Sequence, residues 1–495
     1  MMRSVVNMKT KFIYILTIIC IIIASLSFYS IDSSMQRIHQ HLDARWQPSS
    51  QNDEIFSTYL PVIQIETHGQ KIPGTPITRD DGTIMNELSD ENMESITVDF
   101  SLIDHQEGSN QQDDSKTVET YATVHYRGNS SRFFDKKSYS IHLIDSHGNE
   151  NPQELVGMTS HNEWILNGPF LDRTYIRNYL CMNIAGEIMD YAPNVRYCEL
   201  FVDGEYQGLY LLMESISYGE GRIEMNQTND DTDITSFIVR WDRAGKGDYE
   251  LNNYTYYTYH SDVSALDVRY PGKNTITDEK YDYINDQISH IEKILYSMSL
   301  WEEDANYTDY IDVESFAEYF IINEFFKNVD AGKFSTFYYK DVRGKVKTVV
   351  WDFNNCCDNY ADYVSGKAGF TMQYTPWFSQ LVKDESFVSL VVEKYHQFRK
   401  SYLSTDYLLQ YIEETDKWLT DAIQRNDEIW GYVYDLENYN DKNFLIPVER
   451  NMQSHQEAVE QLKHYIEERG EWLDQHIESL YQYCSESKNA NDMLR

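Results

Sequence analysis

Cysteine, proline and basic residues are all scarce in this sequence. Its 495 residues include 6 cysteines, 10 prolines and 42 lysines and arginines, against 80 aspartates and glutamates. The resulting net charge of −38 repels phosphate backbones, which excludes nucleic-acid binding through a broad basic surface. This charge still allows a small basic pocket for a nucleotide.

The cysteines are too few and too widely spaced for a disulfide scaffold. They stand at positions 20, 181, 198, 356, 357 and 484, without a Cys-x-x-Cys pair or a histidine cluster at zinc-site spacing. A bridge between the adjacent Cys356 and Cys357 would be strained. We therefore interpret the cysteines as packing residues, with room for one incidental disulfide.

Aromatic residues are abundant, and they exclude a wholly disordered chain. The sequence has 40 tyrosines, 21 phenylalanines and 9 tryptophans, and 41% of its residues are hydrophobic. A disordered chain lacks this content because it cannot bury enough apolar surface. A chain of this length has room for roughly two or three domains.

Long hydrophobic runs are absent except for one near the N-terminus. Residues 12–29 carry no charge and follow Arg3, Lys9 and Lys11. A run of this length predicts a transmembrane helix over 12–30, and the basic tail over 1–11 should stay in the cytoplasm. The bulk of the chain would then be extracytoplasmic. Alternatively, the small residues of segment 24–27 favour a cleaved signal peptide and a secreted protein.

Composition and hydrophobic periodicity divide the rest of the chain. The predicted regions are a linker over 31–58, a small β-rich region over 59–117, a main domain over 118–485 and a disordered tail over 486–495.

The main domain begins with β-structure and ends with helices. Alternating side chains predict a hairpin over 121–144, and Asp203-Gly204 predicts a second hairpin. A helix is expected over 173–190, with Asp172 as its N-cap. Further helices are expected over 279–300, 313–328, 375–400, 405–425 and 444–482, whereas 245–275 is predicted to be an irregular insertion.

A loop of small residues precedes a pair of lysines in the first hairpin. The loop contains Arg127, Gly128, Asn129, Ser130 and Ser131, and the next strand opens with Lys136 and Lys137. Backbone N–H groups of such a loop can approach phosphate oxygens, and a lysine can neutralise them. An ordinary polar turn with two solvated lysines is the alternative, since the spacing fits no Walker A motif.

Two aspartates flank a further predicted hairpin. Asp330 precedes a strand over 334–341, and Asp352 lies at the end of the returning strand over 346–353. Antiparallel pairing brings these two ends together. With Asn354 and Asn355, the carboxylates form an oxygen-rich site suited to Mg²⁺. Alternatively, Asp330 caps a turn and Asp352 forms a buried salt bridge.

Four stretches in the same order resemble the CotH (spore-coat protein H) kinase family, an atypical branch of the protein-kinase-like fold. They cover residues 127–139, 172–178, 199–214 and 328–353, and segment 469–473 resembles the C-terminal helix of the family. The resemblance implies an α+β, two-lobed kinase-like domain, with an antiparallel β-rich N-lobe and a mainly helical C-lobe behind the membrane helix.

The resemblance also implies ATP-dependent phosphoryl transfer with Mg²⁺ or Mn²⁺. Segment 128–131 would cover the phosphates, and Lys137 or Lys136 would contact them. Asp330 would be the catalytic aspartate and Asp352 the metal ligand. The acceptor would be a Ser or Thr of a surface or spore-coat protein.

Two glutamates receive roles from the same resemblance. Glu214 would lie near the hinge, and Glu187 is a candidate ion-pair partner for the lysine.

The sequence departs from the family pattern near the metal site. Asn354 stands where the family often has a second aspartate, and Asp358 could compensate for it. Ser335 and Thr336 stand where some members carry an Asn. These departures keep open a pseudokinase that serves assembly or binding at the cell surface or spore coat. Nucleotidyl transfer, which uses the same phosphate and Mg²⁺ parts, is a third possibility.

Overall fold

The computed structural model describes most of the chain beyond the N-terminal segment. The described residues are 37–42, 56–79, 82, 84–105, 108–227, 232–245, 247, 249–254, 264–296, 306–438 and 443–484. The predicted membrane helix over 12–30 and the tail over 486–495 lie outside these residues. None of the helices within them is both long and apolar enough to cross a membrane.

The strands are concentrated in the first half of the described chain. In chain order they are β1 (Ser57–Thr58), β2 (Val62–Glu66), β3 (Pro76–Thr78), β4 (Ile84–Asn86), β5 (Ile96–Ile103), β6 (Asn110–Gln111), β7 (Val118–Arg127), β8 (Ser138–Ile144), β9 (Gln153–Leu155), β10 (Met158–His161), β11 (Glu163–Asn167), β12 (Val195–Val202), β13 (Glu205–Glu214), β14 (Phe237–Arg243), β15 (Ser264–Tyr270), β16 (Thr336–Lys340) and β17 (Lys347–Val349).

Seven of these strands close into a barrel. Their order is β11-β13-β12-β2-β5-β7-β8, and β8 pairs back to β11. The pairs are antiparallel except for β12 with β2, which run parallel. Strand β5 shows the period of two that such a wall requires, since Ile96, Val98, Phe100 and Leu102 are all buried.

A separate antiparallel sheet has the order β15-β14-β16-β17. Val239 and Trp241 of β14 are buried, whereas Arg240 and Asp242 alternate with them and are partly exposed. Because successive side chains of a strand point to opposite faces, this sheet has an apolar face and a polar face.

Six of the seven α-helices in the described chain lie in its second half. The seven are α1 (Arg177–Ile188), α2 (Asp278–Tyr296), α3 (Val313–Phe325), α4 (Phe378–Leu381), α5 (Glu385–Phe398), α6 (Thr405–Trp430) and α7 (His455–His476).

Local sequence explains where the main helices begin. Asp312, Ser404 and Ser454 each accept a backbone N–H from the first turn of α3, α6 and α7, which satisfies a donor that the helix leaves unpaired. Helix α3 is buried along its length from residue 315 to 325, as its apolar sequence requires. Helix α6 is amphipathic and packs against β13 and α7.

The predicted two-lobed kinase-like fold is wrong. The protein is a mixed α+β structure in which seven strands of the first half close into a barrel, and the described chain shows no kinase-like separation into two lobes. The segment 59–117 supplies β2 and β5 to this barrel, where they pair with β12 and β7.

The predicted hairpins over 121–144 and around Asp203-Gly204 are confirmed as β7–β8 and β12–β13. Segment 245–275 was expected to be irregular, but its last part forms β15. The first predicted helix begins at Arg177, four residues later than expected. Asp172 instead fixes the preceding turn, because its carboxylate accepts the N–H groups of Thr174 and Arg177.

Candidate active site

A cavity of about 1080 Å³ collects most of the residues that the sequence singles out. Its wall includes the loop after β7, the polar face of β14 and β15, and the chain segments on both sides of the β16–β17 hairpin. Of the predicted site residues, the following line it: Arg127, Gly128, Asn129, Ser130, Ser131, Asp330, Asp352, Asn354 and Asn355.

The loop after β7 requires glycine at its first position. Gly128 has φ +108°, and a Cβ there would lie 1.8 Å from Oγ of Ser131. Only glycine adopts this conformation without strain and leaves that space free. Ser131 Oγ in turn donates to the carbonyl of Arg127 at 3.4 Å, which closes the loop on itself.

Lys137 supports this loop from behind the cavity wall. Its Nζ donates to the carbonyl oxygens of Arg132, at 2.8 Å, and Phe134, at 2.6 Å. Arg132 and Phe134 line the cavity, but Lys137 does not. The side chain therefore shapes the loop, and direct contact with a phosphate is not supported by its placement.

Lys136 is enclosed in the interior of the protein. Its Nζ donates to the carbonyl of Leu209 and to Oδ1 of Asn426, both at 2.7 Å, and lies 4.8 Å from the ring centroid of Tyr210. Burial lowers the pKa of Lys136 to about 7. This lysine does not line the cavity and instead joins β13 to α6.

Asp330 is a mostly buried carboxylate on the cavity wall. Its Oδ2 accepts a hydrogen bond from Nδ2 of Asn355 at 2.7 Å. Burial raises the pKa of Asp330, and the neighbouring charge of Asp352 raises it further. The two aspartates thus lie close enough for one to oppose the ionisation of the other, as the predicted hairpin requires.

Asp352 occupies a strained position three residues after the end of β17, the second strand of the hairpin. Its φ is +54°, an uncommon value for a residue with a side chain. Its Oδ1 accepts Nδ2 of Asn354 at 2.7 Å. The left-handed backbone turns the chain sharply here, and Asp352 and Asn354 both reach the cavity.

Asn178 of α1 holds this turn in place. Its Oδ1 accepts the N–H of Phe353 at 2.8 Å, and its Nδ2 donates to Oδ1 of Asn354 at 2.7 Å. Both groups of one amide are therefore used to fix the residues that follow Asp352. Asn178 also lines the cavity, and the sequence patterns had predicted no separate role for it.

The oxygen atoms available for a metal are two carboxylates and side-chain amides. Among the residues that the structure describes, no three His, Cys, Asp or Glu side chains are grouped as they would be around a metal ion. Asp330, Asp352 and Asn355 nevertheless all line the cavity and carry hard oxygen atoms. Mg²⁺ suits such a set, because it commonly binds one or two carboxylates and completes its shell with water and phosphate.

Three other residues with predicted roles lie outside the cavity wall. Glu214 is buried and accepts the N–H and Nδ2 of Asn194, at 2.8 and 3.1 Å. Glu187 interacts with the hydroxyl of Tyr402. The carboxylate of Asp358 accepts the N–H groups of Ser365 and Gly366 and does not replace the missing second aspartate.

Arginines that the sequence analysis missed line the same cavity. Arg240 and Arg243 belong to β14, and Arg269 belongs to β15. Arg127 lies with its Cζ 5.7 Å from the ring centroid of Trp351. The signal in the sequence is the alternation of Arg240 and Asp242 with the buried Val239 and Trp241, which marks a polar strand face.

Comparison with known proteins identifies the family. No curated protein matches the chain. The family model described as CotH kinase protein matches residues 124–473, which is well over half of the sequence. This range includes the loop after β7, Asp330 and Asp352. The chain therefore belongs to the CotH kinase family.

Proposed function

We propose that this protein transfers the γ-phosphate of ATP to a Ser or Thr hydroxyl of a surface or spore-coat protein. The observation that carries the proposal is the convergence of loop 128–131 with Asp330 and Asp352 on one cavity. Family membership supports a kinase-like activity. The residues at the cavity support the more specific proposal that the phosphoryl group comes from ATP.

The cavity is large enough for a nucleotide. Its volume of about 1080 Å³ is slightly above the range that is usual for small-molecule sites, about 300–1,000 Å³. Loop 128–131 offers backbone N–H groups and the hydroxyl of Ser130 to the phosphates. Lys137 keeps this loop in shape through the carbonyl groups of Arg132 and Phe134.

The carboxylate side of the cavity fits a divalent cation. Asp352 would be its main protein ligand, assisted by the amide oxygen of Asn355. A bound Mg²⁺ or Mn²⁺ would neutralise charge on the phosphate oxygens. Asn178 holds the turn after Asp352, so the Asp352 carboxylate would need little rearrangement to bind the cation.

Asp330 is suited to orient the acceptor hydroxyl and to accept its proton. Its raised pKa makes it a better proton acceptor than a fully solvated aspartate. Asn355 donates to Oδ2 and leaves Oδ1 of Asp330 available for the hydroxyl. The acceptor oxygen would attack the γ-phosphorus, the bond from that phosphorus to the oxygen bridging the β- and γ-phosphates would break to release ADP, and the hydroxyl proton would pass to Asp330.

A non-catalytic binding or assembly role is the second candidate. The observation that favours it is Asn354, whose amide is already engaged by Asp352 and Asn178. A second metal ion would lack a carboxylate at this position. A protein that binds nucleotide but transfers no phosphate would act in assembly or binding and not as an enzyme.

One experiment separates the two candidates. Purified full-length wild type and Asp330→Asn are incubated with γ-labelled ATP, Mg²⁺ or Mn²⁺, and co-expressed surface proteins. The kinase proposal expects labelled protein with wild type and at least about 10²-fold less with the variant, at similar ATP affinity. Wild type that binds ATP but labels no protein with either metal contradicts the proposal and supports the assembly role.

We also propose that the main domain lies outside the cytoplasm, where a surface or spore-coat acceptor would meet it. The support is the apolar run over 12–29 after three basic residues, which leads the following chain across a membrane. Protease added to intact cells should digest residues beyond 40, and full protection of these residues would contradict this location.

A further inference from the structure

The polar face of β14 and β15 presents three arginines to the cavity. Arg240 stands opposite Asp267 in the strand register, and Arg243 and Arg269 lie further along the same two strands. All three arginines line the cavity, whereas the apolar face of the sheet is covered by the core. Arg240 and Arg243 are held on one strand and Arg269 on its neighbour, next to a shift of register between Ile238 and Val239.

These arginines are incompletely neutralised by their neighbours. Arg240 lies 3.4 Å from Asp242 and 3.3 Å from Asp267. Arg243 is 3.4 Å from Asp242, and Arg269 is 3.4 Å from Asp267. Three guanidinium groups thus share two carboxylates, at distances longer than those of strong charge-assisted hydrogen bonds.

Arg240 also has an unused donor. Its Nε is buried and has no hydrogen-bond partner among the described residues. A buried donor without an acceptor raises the free energy of the folded state, so the neighbours of Arg240 do not satisfy its guanidinium group fully.

Positive charge is concentrated further by Arg127. Burial is the main cause that lowers the pKa of Arg127; Asp352 and Asp242 oppose this shift, whereas Arg240 and Arg269 add to it. Arg269 likewise lowers the pKa of Arg240, after burial. Like charges held together in a chain with a net charge of −38 indicate a local anion site.

We propose that Arg240, Arg243 and Arg269 form a phosphate site on the cavity wall, separate from loop 128–131. Planar guanidinium groups can bind two phosphate oxygens at once, which a lysine cannot do. The phosphate belongs either to the phosphate chain of the nucleotide or to an acceptor that is already phosphorylated near its target hydroxyl. The meaning of the site for catalysis rests on the proposed kinase function.

Arg243 links this site to the reacting groups. Its Cζ lies 4.4 Å from the ring centroid of Phe334, which is four residues after Asp330. Burial and Asp352 raise the pKa of Asp330, and the positive charge of Arg243 partly offsets that rise. A phosphate bound between the arginines would therefore lie in the same cavity as the catalytic aspartate.

The test measures binding of two probes, ATP and O-phosphoserine, to full-length protein. The variants are Arg240→Gln and Arg269→Gln, and Arg343→Gln in the exposed β16–β17 turn is the matched control. We expect at least one probe to bind about tenfold more weakly to both site variants, the scale of a lost charge-assisted hydrogen bond. The control should stay within about twofold of wild type.

The two probes distinguish the sources of the phosphate. Weaker ATP binding assigns the site to the nucleotide, and weaker phosphoserine binding assigns it to a phosphorylated acceptor. The site is overturned if wild type binds neither probe, or if neither site variant differs from Arg343→Gln. The Arg269 side chain is 43% exposed, so Arg269→Gln carries the test if Arg240→Gln fails to fold.

Failure of this site and failure of the kinase function give different results. If wild type phosphorylates protein and the arginine variants bind both probes normally, the site is wrong and the kinase function stands. If wild type transfers no phosphate but the variants lose probe binding, the site stands and the kinase function is wrong.

Discussion

Lys136 and the Asp330–Asp352 pair both come from stretches that resemble the family motifs, yet their surroundings differ. Lys136 directs its hydrogen bonds to Leu209 and Asn426 inside the protein. Asp330 and Asp352 lie on the cavity wall, and each has carboxylate oxygen left for a ligand. Membership of a motif therefore does not decide whether a charged residue meets substrate, and its internal partners are the better guide.

The surroundings of Lys136 show why it cannot easily move toward the cavity. Asn426 Oδ1 accepts from both Lys136 Nζ and the N–H of Leu209. A Cβ at Gly168 would lie 3.3 Å from Cγ of Lys136, so the stem of the lysine fills the space that this glycine leaves. The lysine is built into the contact between barrel and α6.

The largest expected effect is that of Asp352→Asn. The change removes the carboxylate that we assign to the metal, so Mg²⁺-dependent ATP binding should be lost and phosphoryl transfer should fall by about 10³-fold or more. Calorimetric titration with ATP in Mg²⁺, and again in EDTA, measures the metal-dependent part. Unchanged affinity in Mg²⁺, with thermal unfolding like that of wild type, would remove Asp352 from the metal site.

Asp330→Asn should have the next largest effect, and it should be confined to chemistry. The amide keeps the shape of the side chain but cannot accept the proton, so kcat should fall by about 10²-fold while ATP affinity stays within a few-fold. Steady-state kinetics and ATP titration on one sample give both numbers. A loss of ATP affinity as large as the loss of kcat would show that Asp330 acts in binding.

The sequence predicted the parts of this site that depend on local pattern. Alternating side chains and Asp203-Gly204 located two hairpins. The expected pairing on both sides of segment 342–345 brought Asp330 and Asp352 to one place. Each of these features is determined within a few tens of residues along the chain.

The features that the sequence did not predict depend on distant contacts. Closure of the barrel requires β8 to pair with β11 and β2 with β12, and no local pattern specifies those partners. The burial of Lys136 depends on Asn426, 290 residues away. The arginine face depends on β15, whose strand pattern is hidden within a segment rich in Tyr and Asp.

Lys136→Ala should lower stability and leave catalysis nearly intact. It removes a packed stem and leaves the carbonyl of Leu209 without this donor, which together should cost about 2–4 kcal/mol of unfolding free energy. Denaturant unfolding measures the loss, and kcat per folded molecule should stay within about threefold of wild type. A fall in kcat as large as that of Asp330→Asn would return Lys136 to the catalytic residues.

Lys137→Ala should have a smaller effect than these substitutions, because it should weaken ATP binding without removing a group that takes part in the chemistry. The loop containing Arg132 and Phe134 would lose two hydrogen bonds, each of about 1 kcal/mol. We expect KM for ATP to rise about three- to tenfold with little change in kcat, because the loop positions phosphates and does not take part in proton transfer. Equal losses in kcat and kcat/KM would instead indicate a contact made only in the transition state.

The smallest expected effect is a gain of stability in Asp330→Asn. Burial and Asp352 raise the pKa of Asp330, so the folded protein holds this proton more tightly than the unfolded chain. Between the ordinary aspartate pKa, about 4, and the raised value, stability therefore falls as the pH rises, and the penalty remains at neutral pH. Asparagine removes that penalty, and we expect a gain of about 0.5–1 kcal/mol at pH 7, the range of many single stabilising substitutions.

The gain should shrink as the pH is lowered toward 4, whereas the exposed control Asp113→Asn should show no comparable trend. Thermal unfolding across this pH range measures both variants. A loss of stability at pH 7 would mean that favourable contacts stabilise the carboxylate of Asp330, as the hydrogen bonds of Lys136 hold its side chain, and the contrast between the two regions would fail.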